Sequence, residues 1–306
     1  MEQILVDTTL EKAKKWAEKI WGNAAAAWTE RTSQDYSYRE YVVEPAVAEV
    51  LPELNLTPSS KILEIGCGDG SHLLFWQKLL AKNNLDSAQL LGIDLFESQI
   101  TKARERVKNS GNIVVLAGDA TAKETVGIVA GQFGTPDVVV AMFLMQDTPD
   151  LEGILDVVSN CLKDGGHLLA VFVHPMFAQH LYEKGYVKKA EDAYLSKEDV
   201  TLSGIVQWRF AGYYPIAQKD ASPFYLPYFH RHVKDYLDAL HKKQFTIIAR
   251  KDLMLAQDIA EKLKEARISP FYEEKHNIYW PLIAKEPSSL LIHARKEKEK
   301  EKEKGQ

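Results

Sequence analysis

Through the middle of the chain, short apolar runs alternate with amphipathic stretches, and that rhythm predicts strands followed by helices. The runs cover residues 62–65, 90–93, 113–116, 138–141 and 168–173. They are rich in β-branched residues and lack strict alternation, as strands buried on both faces do. Helices are predicted between them at 71–82, 97–108, 122–130 and 151–162. Repetition at this spacing argues for βαβ units, a parallel sheet, and right-handed crossovers that place helices on both faces. A later helix at 233–243, with strands at 245–250 and 289–295, completes the set. The expected fold is α/β, a Rossmann-like, doubly wound, seven-stranded and mostly parallel sheet.

Before this rhythm begins, Leu10, Ala13, Trp16, Ala17, Ile20 and Trp21 form one helical face. Gly22-Asn23 is expected to end that helix, Ala24 to begin another, and a third helix is expected over 39–51, ahead of Pro52. After Pro175 the rhythm breaks into a block dense in Phe, Tyr and Trp, with Gly204, Gly212, Pro215, Pro223 and Pro227 interspersed. So aromatic a stretch must pack on something or meet a ligand. It either fills the core of a helical subdomain or lines a site, and the two are compatible. The expected division is a helical lid at 1–56, a core at 57–175, an aromatic cap insertion at 176–230, and the rest of the core at 231–295, interrupted by a second insertion near 256–287. Lys and Glu alternate from Lys296 to Lys304 with no apolar face, and 296–306 are expected to form a charged, disordered tail.

Composition narrows the class. The 306 residues carry 38 Lys plus Arg against 43 Asp plus Glu, with 45% hydrophobic residues, which is an ordinary globular balance. A net charge of −5 argues against nucleic acid as the partner, because phosphate neutralisation needs a clustered basic surface. Cys67 and Cys161 cannot make a disulfide framework, and no metal-ligand motif is present. No run of 18 apolar residues exists and the first residues lack signal-peptide character, so a cytoplasmic location without membrane attachment is expected.

The segment Ile62-Leu63-Glu64-Ile65-Gly66-Cys67-Gly68-Asp69-Gly70 joins the first strand to a helix. Glycines there allow a sharp turn and close approach of a ligand. A phosphate loop would need Gly-Lys-Ser/Thr, whereas Gly70 is followed by Ser71-His72. A dinucleotide site fits poorly too, because Glu64 would repel a pyrophosphate. The same carboxylate suits a ligand bearing an ammonium and a sulfonium, and S-adenosylmethionine bears both.

E-x-G-x-G-x-G at this place resembles the first motif of the class I S-adenosylmethionine-dependent methyltransferases, of the small-molecule, ubiquinone-biosynthesis-like type. Further stations follow in order at Gly92-Ile93-Asp94-Leu95, Ala117-Gly118-Asp119-Ala120, 136–140 and 162–167. The resemblance implies a cofactor site of Glu64, Gly66, Cys67, Gly68, Asp94, Leu95, Asp119, Ala120 and Met142. Asp94 would take the ribose hydroxyls and Asp119 the adenine amino group, S-adenosylhomocysteine would be the product, and no metal is implied. By itself Cys67 reads as a small, inert residue in a tight loop.

The resemblance also places the acceptor under a cap, which implies a planar or apolar small molecule. Trp28, Tyr38, Tyr213 and Tyr228 are the candidate acceptor contacts. Arg31 and Arg39 are candidates for the cofactor carboxylate. His230 and then His174 are candidate bases, since histidine titrates near neutrality. After the fourth strand stands Ala141-Met142-Phe143-Leu144, where nucleobase amino-methyltransferases carry Asn/Asp-Pro-Pro-aromatic. Small-molecule methylation is therefore favoured over an RNA or protein substrate, aminopropyl transfer, or a non-catalytic binding module. A homodimer is left open.

Overall fold

The computed structural model describes residues 10–32, 38–183, 200–218, 221–265 and 285–298. Its centre is a seven-stranded sheet of β1 (Lys61–Ile65), β2 (Gln89–Asp94), β3 (Ile113–Ala117), β4 (Val138–Met142), β5 (His167–Val173), β10 (Phe245–Leu253) and β11 (Ser289–Lys296). The order is β10-β11-β5-β4-β1-β2-β3, and β11 runs antiparallel to both its neighbours. The sequence turns back between β1 and β4, so a crevice opens there at the carboxyl edge, where ligands of open α/β sheets bind.

The two faces of the sheet bury different residues, as the period-2 pleat requires. Ile62, Leu90, Val138, Val140, Leu169 and Val171 pack towards α2 (Glu44–Val50), α3 (Ser71–Lys82) and α4 (Glu97–Val107). Leu63, Leu91, Val139, Leu168, Phe172 and Ile292 pack towards α5 (Glu124–Gln132), α6 (Leu151–Cys161) and α8 (Val233–Lys242). The expected α/β architecture is thus present, and the strands begin within a residue of their predicted starts. No helix among the described residues is long and apolar enough to cross a membrane.

Two local expectations are corrected. Gly22-Asn23 does not end a helix: α1 runs unbroken from Leu10 to Thr32. Gly in a helix interior costs about 1 kcal/mol. That is less than α1 gains by seating Ala13 and Ala17 in a third core with Trp208, Ala211 and Phe229. The aromatic block, in its described part, is built chiefly of strands rather than helices. After α7 (Pro175–Glu183) come β6 (Val200–Leu202) with β7 (Ile205–Trp208), and β8 (Phe210–Gln218) with β9 (Ala221–His230). Both sheets have only two strands, so every strand has a free edge where Pro215, Pro223 and Pro227 need no ladder donor. Of the second insertion, α9 (Gln257–Glu265) is described, and 266–284 lie outside the described residues.

α1 lies against the cap and roofs the crevice. Trp16 meets Phe229 edge-on at 5.6 Å between ring centroids. Near one end, Lys14 reaches Thr121 Oγ1 at 2.9 Å and Asp150 at 2.6 Å. Near the other, Gln99 Nε2 donates to the Ala25 carbonyl at 2.9 Å.

Candidate functional site

A cavity of about 320 Å³ lies between the carboxyl edge of the sheet, α1 and the cap. Its floor is the loop from β1 to α3. Gly66 and Gly68 hold φ of +69° and +54°, which side chains resist. A Cβ on Gly66 would stand 2.9 Å from Leu144 Cδ1, whereas the space beside Gly68 is open. Asp94, half-buried at the end of β2, accepts from the Gly68 N–H and the Phe96 N–H, both at 2.9 Å. One carboxylate therefore fixes the loop and still has lone pairs for a ligand. Burial raises its pKa, and the backbone donors oppose that rise.

Glu64 is 1% exposed beneath the loop, and neither carboxylate oxygen has a hydrogen-bond partner among the described residues. Its closest ion-pair partner there is His72 Nδ1 at 3.3 Å. Desolvation pushes the Glu64 carboxyl well above its usual range and the His72 imidazole well below its own. Such a buried acid gains from a cation arriving nearby. Arg39 reaches Ser71 Oγ at 2.6 Å and Glu44 at 2.9 Å, and its charge also acts on Glu64. Asp119 Oδ1 takes the N–H of Thr121 at 2.7 Å and its hydroxyl at 2.8 Å. Burial holds the Cys67 thiol up, so it is a neutral packing residue.

Of the residues expected to hold the cofactor, Gly66, Cys67, Gly68, Asp94, Leu95, Asp119, Ala120 and Met142 all line this cavity, and Glu64 lies just behind it. Trp28, Tyr38, Arg39 and Tyr228 line it too. The Tyr38 hydroxyl bonds Ser288 and Ser289, and burial pushes it up to about 12. The side chains of Arg31 and Tyr213 lie outside the described residues.

The two candidate bases do not line the cavity. His174 is buried against Asp252, with Nε2 3.6 Å from Oδ1. His230 is 1% exposed, with Nδ1 3.5 Å from the Tyr228 hydroxyl, and burial drops its pKa to about 4. Position after the fifth strand was the signal for His174, and the His230-Arg231 pair ahead of the next helix the signal for His230; both are buried away from the residues that line the cavity.

Sequence reasoning missed the turn after β4. Phe143 is held at φ +56°, an unusual setting for an aromatic residue, and its N–H is tied to the Val171 carbonyl at 2.7 Å. That turn brings Gln146 and Asp147 to the cavity, where both are buried. The only sequence signal was two polar residues directly after an all-apolar run.

The methyltransferase-domain family model matches residues 63–168, the stretch from β1 into β5 that carries the loop, Asp94 and Asp119. Over those residues the chain is similar to a methyltransferase domain. Two curated relatives agree. A demethylmenaquinone methyltransferase of Staphylococcus saprophyticus is 25% identical over 40% of this chain and 48% of its own length. A ubiquinone biosynthesis O-methyltransferase of Leptothrix cholodnii is 31% identical over 35% of this chain and 41% of its own. The chain thus spans less than half the length of the curated relatives it matches. Among solved structures, a SAM-dependent methyltransferase from Methanosarcina mazei superposes with a TM-score of 0.53 at 18% identity, covering 81% of this chain and 98% of that one. That likeness is one of fold, and it covers more of the chain than the segment matched by the family model.

Proposed function

We propose that this chain transfers the methyl group of S-adenosylmethionine to a small, mainly apolar acceptor. One observation carries the reading. A single cavity has the glycine loop, Asp94 and Asp119 on one side, and Phe143, Val173, Phe177, Leu226 and Tyr228 on the other. The first group suits a polar cation with a ribose and a base, and the second suits an apolar molecule. The names of the two curated relatives, which concern menaquinone and ubiquinone, support a quinol-like or phenolic acceptor.

When bound, S-adenosylmethionine supplies a methyl group activated on a sulfonium. In this reading Asp94 accepts from the two ribose hydroxyls, a paired and charge-assisted contact. Asp119 and Ala120 meet the adenine. Glu64, buried without a donor, favours the positive charge of the ligand. Arg39 is placed to meet a carboxylate. α1 and the cap exclude water and hold the acceptor in line, so that positioning carries most of the rate. With His174 and His230 outside the cavity, neither is assigned as the base.

The test is calorimetry with S-adenosylhomocysteine, followed by transfer of labelled methyl from S-adenosylmethionine to a panel of phenols and quinols. Binding and transfer are expected. Absence of binding overturns the reading, and binding without transfer to any acceptor class favours a non-catalytic module.

A further inference from the structure

We propose that Gln146 and Asp147 recognise the methyl-receiving group, and that this group is an uncharged hydroxyl on an otherwise apolar molecule. The inference rests on the methyl-transfer reading above and names the acceptor chemistry that reading leaves open.

The geometry is that of a polar pair set in an apolar wall. Gln146 is 3% and Asp147 8% exposed, and both line the cavity. Gln146 Nε2 donates to the Phe143 carbonyl at 2.6 Å and to Asp147 Oδ1 at 2.9 Å. That fixes the amide, because both partners need a donor. It also leaves Gln146 Oε1 buried with no hydrogen-bond partner among the described residues. The Gln146 contact is made through Asp147 Oδ1, which leaves the second carboxyl oxygen for a further bond. Buried polar atoms are nearly always paired, so the open Gln146 oxygen, beside a buried carboxyl on a ligand cavity, asks for a ligand group.

Electrostatics narrows which group. The Arg231 guanidinium packs against this turn, but its two terminal nitrogens go to the Met145, Phe229, Thr148 and Pro149 carbonyls. Lys14, also on the cavity, is paired with Asp150. Buried Tyr236 feels the Asp147 charge and brings no cation. Burial accordingly raises the Asp147 carboxyl well above its usual range, with the Gln146 bond opposing only in part. A carboxyl that keeps its proton offers one donor beside the one open acceptor of Gln146. A hydroxyl matches that pair, accepting from one and donating to the other. A carboxylate would be buried beside Gln146 Oε1, which only accepts, while the described cations of the cavity, Lys14 and Arg39, are paired with Asp150 and Glu44. An amine has two donors to place and only one acceptor to receive them.

The experiment uses the full chain saturated with S-adenosylhomocysteine, titrated by NMR with phenol, toluene, aniline and benzoate. Phenol and toluene differ by hydroxyl for methyl, so their ratio isolates the polar contact. The wild type is expected to bind phenol about tenfold more tightly than toluene, the worth of one well-made hydrogen bond in a dry site. Aniline and benzoate are expected below phenol. In Asp147→Leu and in Gln146→Leu the phenol preference is expected to disappear while S-adenosylhomocysteine still binds. Equal binding of phenol and toluene by the wild type overturns the proposal, and needs no variant. So does a preference for benzoate or aniline, or a phenol preference that survives in both variants. Failure of the wild type to bind S-adenosylhomocysteine is a different result, and overturns the methyl-transfer reading instead.

Discussion

Arg231 is fully buried, yet no carboxylate pairs with it among the described residues; it clamps a turn through backbone carbonyls. Its two shortest bonds run to Met145 at 2.7 Å and Thr148 at 2.9 Å, with longer ones to Phe229 and Pro149 at 3.3 and 3.2 Å. Hydrogen bonds from a charged donor contribute about 1.5–3 kcal/mol each, so the two short ones give roughly 3–6 kcal/mol. Burying the guanidinium offsets part of this, and the cation over the Tyr236 ring at 5.7 Å returns a little. A net loss of about 3 kcal/mol is expected for Arg231→Met, which keeps much of the apolar stem. For a chain this large, that lowers the unfolding midpoint by about 6 °C. S-adenosylhomocysteine should still bind, because Arg231 does not touch the glycine loop, whereas the phenol preference should weaken as residues 145–149 relax. Differential scanning calorimetry with and without the ligand reads both. A midpoint within about 2 °C of wild type, or equal loss of both ligands, would refute the idea that this side chain organises the acceptor half.

Three further outcomes are expected. On the proposed reading, Asp94→Ala removes two charge-assisted contacts to the ribose together with the anchor of the Gly68 N–H, so S-adenosylhomocysteine affinity should fall about a hundredfold by calorimetry. Phe229→Ala empties the centre of the lid-and-cap core, where Trp16 and Trp208 meet that ring, and should cost about 3–5 kcal/mol in chemical denaturation. His230, with a folded pKa near 4 against an ordinary 6.5, binds its proton more readily unfolded than folded. Its contribution is therefore complete above about pH 6.5 and is lost as pH falls towards 4. His230→Gln should flatten the pH dependence of stability over that window, so that its difference from wild type changes with pH, and parallel curves would count against burial as the cause.

What the sequence made legible was whatever repeats or recurs locally. The strands from Lys61 to Val173 follow from uninterrupted β-branched runs, and Asp94 and Asp119 from their place at strand ends. Each depends on a few neighbours in the chain. The unbroken α1 was not legible, because the signal of Gly22-Asn23 is local and the packing that overrides it lies some 200 residues away on Phe229. The cap strands were hidden for a related reason: Pro and Gly demote a strand in a large sheet, and only the free edges of a two-stranded sheet make them harmless. His174 and His230 stand where active histidines stand in the chain, but burial and partners decide a histidine's role, and both are properties of the assembled fold. Gln146 and Asp147 gave almost no signal, since a polar pair after a strand is an ordinary turn until burial makes it costly.

The proposed cofactor half and the proposed acceptor half of the cavity thus come from different parts of the chain. Glu64, Gly66, Gly68, Asp94 and Asp119 lie within the matched segment 63–168, on consecutive βα turns of one rigid sheet. The opposing wall draws on Tyr38, Phe177, Leu226, Tyr228 and Ser288, which the fold gathers from lid, cap and last strand. Gln146 and Asp147 sit at the seam between them. Their turn leaves the end of β4, is tied to β5 through Phe143, and is held from the other side by the Phe229 N–H on the Gln146 carbonyl at 2.7 Å and by Arg231. A change in the cap would therefore act on acceptor choice by two routes: directly through Leu226 and Tyr228, and through the placement of this turn. The cofactor site, anchored by Asp94 to its own loop, would be left in place. Substitutions at Phe229 or Arg231 that keep the fold should accordingly alter which acceptor binds before they alter S-adenosylhomocysteine affinity.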